Sequence, residues 1–396
     1  MDAAKLPPEV FAEILYRLTA KDLLRCRLVN KQWLSLIDDR SFIDKHLRYI
    51  TGLAGAEYHN IVILRSNQKL HSMEMEPPYR VRELQPPPMR SDSEIKLVGS
   101  CNGLLCLLSS SEDFIVWNPS TNDHARLPIV PFGKTSITID GITAIRSVHF
   151  AIFGFGYDSF TEDYKVVVIE PVLKQQYQDI WLYSLQRNSW RRTGDDQHQV
   201  FLHRPSRMGV YVSNTLHWVM IRNSDSNDTQ VILALDLRSE DYKEVPLPLC
   251  LDNRFGMDVT VLGGCLGMVV NSPHNKVSDV WVMREYGSRE SWLKLFSVPY
   301  QTADVFPFQT GFEDLYYLHR SYPAGQLLVE GANKKFHWLD AKSRSLRTFK
   351  ISPPTLKEYF SGESEPFIAE VCAGSLVRVD ACGGTQSVAM AAAATT

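Results

Sequence analysis

"VWNPSTNDHARLP", Val116–Pro128, reads as a strand, a polar turn and a second strand. Val116 and Trp117 favour extended backbone, Asn118–Asp123 carries turn chemistry, and Pro128 punctuates the end. The same order recurs four times downstream. It returns in "IWLYSLQRNSWRR" (Ile180–Arg192), "LALDLRSEDYKEVPLP" (Leu233–Pro248), "VWVMREYGSRESWLKL" (Val280–Leu295) and "FHWLDAKSRSLRTF" (Phe336–Phe349). Aligning Asn118, Ser184, Asp236, Arg284 and Asp340 gives steps of 66, 52, 48 and 56 residues. Another strand pair precedes each unit: "NGLLCLLSS", "DYKVVVIE", "NTLHWVMI", "GGCLGMVV" and "AGQLLVEGA". Four strands in roughly 50 residues is the period of a propeller blade, closest to the kelch spacing. A large β-sandwich is the alternative, but a sandwich needs no repeat. The expectation is a mainly β chain with a kelch-like β-propeller of six blades.

Five units are complete; the sixth must be assembled. "NIVILRSNQKLHSMEM" (Asn60–Met75) is a single hairpin, and "PFIAEVCAGSLVRV" (Pro366–Val379) holds two apolar runs around Ala373-Gly374-Ser375. A hairpin left alone would expose a sheet edge. The two are therefore expected to form one composite blade, with Phe367–Val379 inside and Ile61–Met75 outside. Apolar strand chemistry stops at Val379, and residues 381–396, ending "AMAAAATT", read as a disordered tail.

Upstream the period changes. Residues 1–48 read as short helices, and residues 49–60, with Gly52 and Gly55, as a linker to a propeller over 61–380. Pro7 and Pro8 suit a helix start, and Glu9 suits its first turn. Val10, Phe11, Ile14, Leu15 and Leu18 follow helical spacing. Thr19 and Asp22 resemble a capping box, and Ser41 with Asp44 marks a further start. Leu23, Leu24, Leu28 and Val29 make a second stripe; Trp33, Leu34, Leu36 and Ile37 make a third. So small a unit cannot bury this much apolar surface by itself.

These residues carry a resemblance. Leu6-Pro7-x-Glu9, Ile14-Leu15, Leu18, Leu23-Leu24-Arg25, Val29, Lys31, Trp33, Leu36-Ile37 and Phe42 resemble the F-box; Thr19 and Asn30 depart from its commonest pattern. "GSCNGLLCL", "VWNPST", "FGFGYDSFTEDYKVV", "LHWV" and "DVWVMREYGSRESWLKLF" resemble the plant F-box-associated domain across residues 97–300. Within that family the chain is similar to a defence-regulating subgroup. The resemblance implies a non-catalytic substrate-recognition subunit of a Skp-cullin-F-box ubiquitin ligase. The helices would dock a Skp-type adaptor, and through it a cullin-RING ligase; the propeller would capture a protein substrate. The adaptor-binding residues would be Leu6, Pro7, Glu9, Ile14, Leu15, Leu23, Leu24, Val29 and Trp33, seated by helix-in-groove packing.

Other chemistries find little support. Lys and Arg (42) nearly balance Asp and Glu (45), which predicts no nucleic-acid partner. No apolar run is long enough for membrane insertion, and "MDAAKLPPEV" lacks a signal-peptide pattern, so the expected location is cytoplasm, nucleus or both. The seven cysteines have no paired spacing and read as reduced thiols. Gly154-x-Gly156 lacks the third glycine and the helix of a dinucleotide site, and reads instead as close strand packing at the propeller centre. His198 and His203 have no ligand frame around them, so no metal or cofactor is expected. Asp158, Glu162 and Asp163 could suggest a glycosidase pair, but a solvated hairpin explains them. Trp117, Trp181, Trp190, Trp218, Trp281, Trp292 and Trp338 fall at repeat positions and read as inter-blade packing rather than sugar stacking. A propeller enzyme or lectin with a helical appendage is the competing function. For a receptor, Pro131–Gly141, Asp195–Arg207, Asn223–Asp228 and Pro299–Gly311 are the candidate substrate loops.

Overall fold

The computed structural model describes residues 7–52, 60–66, 69–74, 81–89, 95–109, 112–131, 136–139, 142–145, 151–170, 179–193, 201–202, 208–222, 229–251, 256–272, 277–299, 318–321, 326–331, 335–340, 345–349 and 368–379. The expected tail and most of the expected linker lie outside these residues.

Among the described residues, six antiparallel blade sheets follow the helices, and a separate two-stranded hairpin, Ser136–Ile139 with Ile142–Ile145, lies between blades 2 and 3. Blade 2 runs outward from Ile95–Cys101 through Leu104–Ser109 and Phe114–Trp117 to His124–Arg126. Blade 3 is Ile152–Asp158, Asp163–Glu170, Asp179–Ser184 and Ser189–Thr193. In blade 4 the inner strand is split into Phe201–Leu202 and Val210–Val212, followed by Thr215–Arg222, Thr229–Asp236 and Tyr242–Val245. Blade 5 is Gly256–Leu262, Cys265–Ser272, Val277–Met283 and Trp292–Pro299. Blade 6 is Leu318–Ser321, Gln326–Gly331, Lys335–Asp340 and Ser345–Phe349. The first strands of the blades touch one another in a closed cycle, which is the propeller axis.

Blade 1 closes the ring. Its inner strand, Ile368–Ala373, pairs antiparallel with Asn60–Ser66, placing Val371 opposite Val62 and Glu370 opposite Ile63. Lys69–Glu74 and Val81–Leu84 complete it. The composite blade is therefore real, but its division differs from expectation. One strand comes from the C-terminal end and three from the N-terminal side. Residues 374–379 form no second strand; they leave the sheet and pack elsewhere, with Leu376, Val377 and Val379 buried.

Blades stack face to face, so strands such as Leu104–Ser109 and Phe114–Trp117 are buried on both sides, while the outermost strands keep an exposed polar side. Every residue of Leu104–Ser109 is buried, which explains the unbroken apolar run "LLCLL". Close stacking also explains Gly154 and Gly156. A Cβ on the first would lie 2.7 Å from the Trp218 ring, and on the second 2.6 Å from the Tyr211 ring. Three of the five aligned turn positions also share a task. Asn118 Oδ1 accepts from Ser120 N at 2.8 Å, Ser184 Oγ from Arg187 N at 3.0 Å, and Asp236 Oδ1 from Arg238 N at 2.8 Å.

The blades are stitched by a rule in their outermost strands. In four successive blades this strand sends a polar side-chain tip to the end of the preceding outermost strand. Arg126 Nη2 donates to Pro88 O at 2.7 Å, Trp190 Nε1 to Pro128 O at 2.6 Å, and Trp292 Nε1 to Pro246 O at 2.8 Å. In blade 4, Tyr242 Oη and Thr193 Oγ1 are 3.2 Å apart. Trp190, Trp218 and Trp292 thus pack between blades and also bond there, Trp218 Nε1 donating to Phe153 O at 2.7 Å.

The acidic hairpin is not solvated, contrary to expectation. Asp158 and Asp163 are buried; only Glu162 is exposed. Asp158 accepts from Phe160 N, Thr161 Oγ1 and Lys165 Nζ at 3.0, 2.7 and 3.0 Å. Burial alone would raise its pKa, but the bonds from Thr161 and Lys165 outweigh burial and hold it low. Lys165 also donates to Leu237 O and pairs with Glu240 at 3.3 Å, which locks blade 3 to blade 4. These carboxylates are consumed by structure, so they make no glycosidase pair.

Candidate adaptor-binding surface

Among the described residues, four helices precede the propeller: α1 (Pro8–Tyr16), α2 (Ala20–Cys26), α3 (Lys31–Ile37) and α4 (Arg40–Gly52). Pro7 is the N-cap of α1, and Glu9 sits in its first turn. Thr19 caps α2: its Oγ1 accepts from Asp22 N at 3.2 Å and donates to Asp22 Oδ2 at 2.8 Å. Asn30 Oδ1 accepts from Trp33 N at 2.8 Å and caps α3, which gives that departure from the usual pattern a physical role. The fourth start lies earlier than expected. Asp39 Oδ1 accepts from Phe42 N at 3.2 Å, and α4 continues into the stretch read as linker.

The helices have a filled core of Leu15, Ala20, Leu23, Ile37, Phe42, Ile43 and Ile50. Tyr16 stacks on Phe42 at 4.8 Å, and Phe11 meets Trp33 at 4.9 Å. The His46 ring Nε2 lies 3.0 Å from Leu18 O. One side of this unit packs on the propeller, in an apolar cluster continuous with Cys101, Leu376, Val377 and Val379. Arg40 pairs with Glu162 of blade 3 at 2.5 Å, and Asp38 with Arg378 of the C-terminal segment at 3.2 Å.

Elsewhere on this unit five large apolar side chains are uncovered. Leu28 is 86% exposed, Val29 61%, Ile14 47%, Val10 46% and Leu34 39%. Val10 and Ile14 share one face of α1, at i and i+4. Leu28 and Val29 lie in the turn before α3. Phe11 and Trp33, in contact, join the neighbourhoods of Val10 and Leu34.

The expected site residues thus divide. Pro7, Glu9, Ile14 and Val29 are exposed; Leu24 and Trp33 are partly buried. Leu15 and Leu23, at 2% and 0% exposure, belong to the internal core and not to the surface, because their side of each helix faces the other helices. Leu6 lies outside the described residues. Val10, Leu28 and Leu34 were absent from the expected set; each belongs to an apolar stripe of its segment in sequence, yet the fold leaves it exposed.

Strand order also fixes where loops emerge. In blades 2 to 5 the first-to-second and third-to-fourth turns lie on one face of the ring, and the helices sit there, since Arg40 reaches Glu162 in such a turn of blade 3. The remaining connections of these blades start and end on the opposite face. All four candidate substrate loops follow second or fourth strands of blades 2 to 5, but two are not wholly loop: Phe201–Leu202 belongs to the inner strand of blade 4, and Ser136–Ile139 pairs with Ile142–Ile145. Most of their residues lie outside those described.

Among the described residues no group of His, Cys, Asp or Glu could hold a metal, and no helix is long and apolar enough to cross a membrane. His198 and His203 lie outside them.

The fold and this surface define a small helical docking module joined to a six-bladed propeller that carries loops away from it. The F-box domain model matches residues 4–45, and the F-box associated beta propeller domain model matches residues 59–379. The chain therefore belongs to the F-box proteins with an F-box associated beta propeller domain. It is similar to F-box protein CPR1 of Arabidopsis thaliana, with 30% identity covering 88% of this chain and 85% of that protein. F-box protein At4g22390 of the same plant is 31% identical, covering 88% and 86%. F-box/kelch-repeat protein At3g23880, also from Arabidopsis thaliana, is 31% identical, covering 84% and 90%. The architecture is that of a substrate receptor, and an F-box implies binding of a Skp-type adaptor within a cullin ligase.

Proposed function

We propose that this chain is the substrate-recognition subunit of a Skp-cullin-F-box ubiquitin ligase and holds a protein substrate for ubiquitination and degradation. The observation that carries the reading is the uncovered set Val10, Ile14, Leu28, Val29 and Leu34, on a helical unit whose core is already filled and which rests on the propeller elsewhere. Such a surface suits a groove on an adaptor, with Pro7, Glu9, Leu24 and Trp33 at its edge. Leu15 and Leu23 support it from within. Substrate is held by loops on the face of the ring away from the helices. That separation lets both proteins bind at once, and the receptor acts by raising local concentration rather than by chemistry. The receptor works in the cytoplasm, the nucleus or both. A role in plant defence rests on resemblance to that subgroup.

The test is co-purification of the full chain with a recombinant plant Skp-type adaptor. Wild type should co-elute as a stable complex, and Leu28→Asp with Val29→Asp should not, at unchanged melting temperature. A wild-type chain that stays apart from the adaptor would overturn the assignment.

A further inference from the structure

We propose that Arg378 is a positioning residue for the adaptor-binding surface, and that the strand closing the propeller makes adaptor recruitment depend on a closed ring. This rests on the reading of the helical unit given above.

Three observations converge on Asp38. It stands at the C-terminal end of α3, and Arg27 stands at the C-terminal end of α2. Arg27 grips it with two contacts, Nε to Oδ1 at 2.9 Å and Nη2 to Oδ2 at 3.0 Å. The pair brackets residues 28–37, the segment that carries the exposed Leu28, Val29 and Leu34. Arg378 then joins from the propeller, 3.2 Å from the same Oδ1.

The placement of Arg378 is built by the ring closure. After Ala373 the chain leaves blade 1 and crosses the helix-facing turns of blade 2. Ser375 Oγ donates to Asn102 O at 2.8 Å. Asn118 Nδ2 donates to Ser375 O and Val377 O, and Val379 N donates to Asp123 Oδ2 at 2.7 Å. Backbone groups on both sides of Arg378 are thus held by blade 2. Leu376, Val377 and Val379 are buried, while Arg378 alone of this run is exposed and meets Asp38. A guanidinium fixed at its base loses little freedom when it pairs. An open ring would not place residues 374–379, and Asp38 would keep Arg27 alone. The surface would then be presented by a loosely seated bracket, so a chain with an unfinished propeller would recruit the adaptor poorly.

The second ion pair between helices and propeller supplies the control. Arg40–Glu162 is more exposed and does not touch the bracket. In the full-length protein, adaptor affinity should fall roughly three- to tenfold for Arg378→Glu, in the range of an exposed pair turned repulsive. Arg378→Lys should restore most of the affinity, and Arg40→Glu should leave it near wild type. Amide exchange across residues 31–37 should quicken in Arg378→Glu alone, with no change in melting temperature. Wild-type affinity or wild-type exchange in Arg378→Glu would overturn the proposal, as would an equal loss in Arg40→Glu. If the wild-type protein bound no adaptor at all, the assignment of function would fail first, a distinguishable result.

Discussion

The side-chain amide of Asn118 donates to the carbonyls of Ser375 and Val377, at 3.0 and 2.8 Å, across 257 and 259 positions of sequence. One turn residue of blade 2 thereby holds residues 375–377 against the first complete blade. All three residues are buried, so neither carbonyl has water as a substitute.

Asn118→Ala should therefore cost about 2–4 kcal/mol, the penalty for two stranded buried acceptors. Denaturant unfolding checks it. Truncation before Pro366 should cost far more, since it removes the inner strand of blade 1, and truncation after Asp380 should be nearly silent. Equal midpoints for the two truncations would refute the closure.

The outermost-strand stitches predict small, separable effects. Trp190→Phe and Trp292→Phe keep an aromatic ring but remove the N–H that reaches Pro128 O and Pro246 O. Each should cost roughly 1 kcal/mol. The two sites lie in different seams and should add in the double variant. Chemical unfolding of the three proteins measures both statements, and strong non-additivity would contradict independent seams.

His217 should act as an acid-sensitive seam between blades 4 and 5. Burial lowers its pKa to about 4 from an ordinary 6.5. Its Nδ1 lies 3.1 Å from Val210 O, and its Nε2 2.7 Å from Tyr286 Oη. The carbonyl can only accept, so the neutral ring donates from Nδ1 and accepts at Nε2. Between the two pKa values the unfolded chain holds the extra proton. Stability from this group is thus full above about pH 6.5 and falls as pH drops toward 4, by up to about 1.4 kcal/mol per unit. Denaturation midpoints from pH 7 to 4.5 should decline less steeply in His217→Gln. Parallel slopes would count against the prediction.

Leu23 and Leu28 should separate folding from docking. Leu23→Asp buries an unpaired carboxylate among Leu15, Ile37 and Phe42, and should unfold the helices with losses of several kcal/mol. Leu28→Asp changes a side chain already facing water and should leave stability within about 0.5 kcal/mol. Helical circular dichroism and adaptor pull-down together distinguish them. Loss of helix in Leu28→Asp would show that the exposed turn is structural.

Much of this was legible in the chain. The repeats ending at Asn118, Ser184 and Asp236 declared blades because turn chemistry is local: each aligned residue caps its own turn through a bond within three positions. Thr19 was legible as a cap for the same reason. The F-box pattern was legible because adaptor docking demands a dense apolar set in little sequence. The division between core and surface within that set was not. Leu23 and Leu28 are both leucines in one short segment, and only the packing of α2 against the other helices separates them.

Sequence by itself determined the blade repeat, the helical module and the need for a composite blade, since each rests on periodicity or on surface that a short segment cannot bury alone. Tertiary structure alone decided that a single C-terminal strand closes the ring, that residues 374–379 cross to blade 2, and that Arg378 meets Asp38. It also decided that Asp158 is a buried partner of Lys165 rather than a solvated turn residue. Those outcomes depend on contacts between residues far apart in the chain, whose energies come from burial and bond geometry that no local pattern encodes.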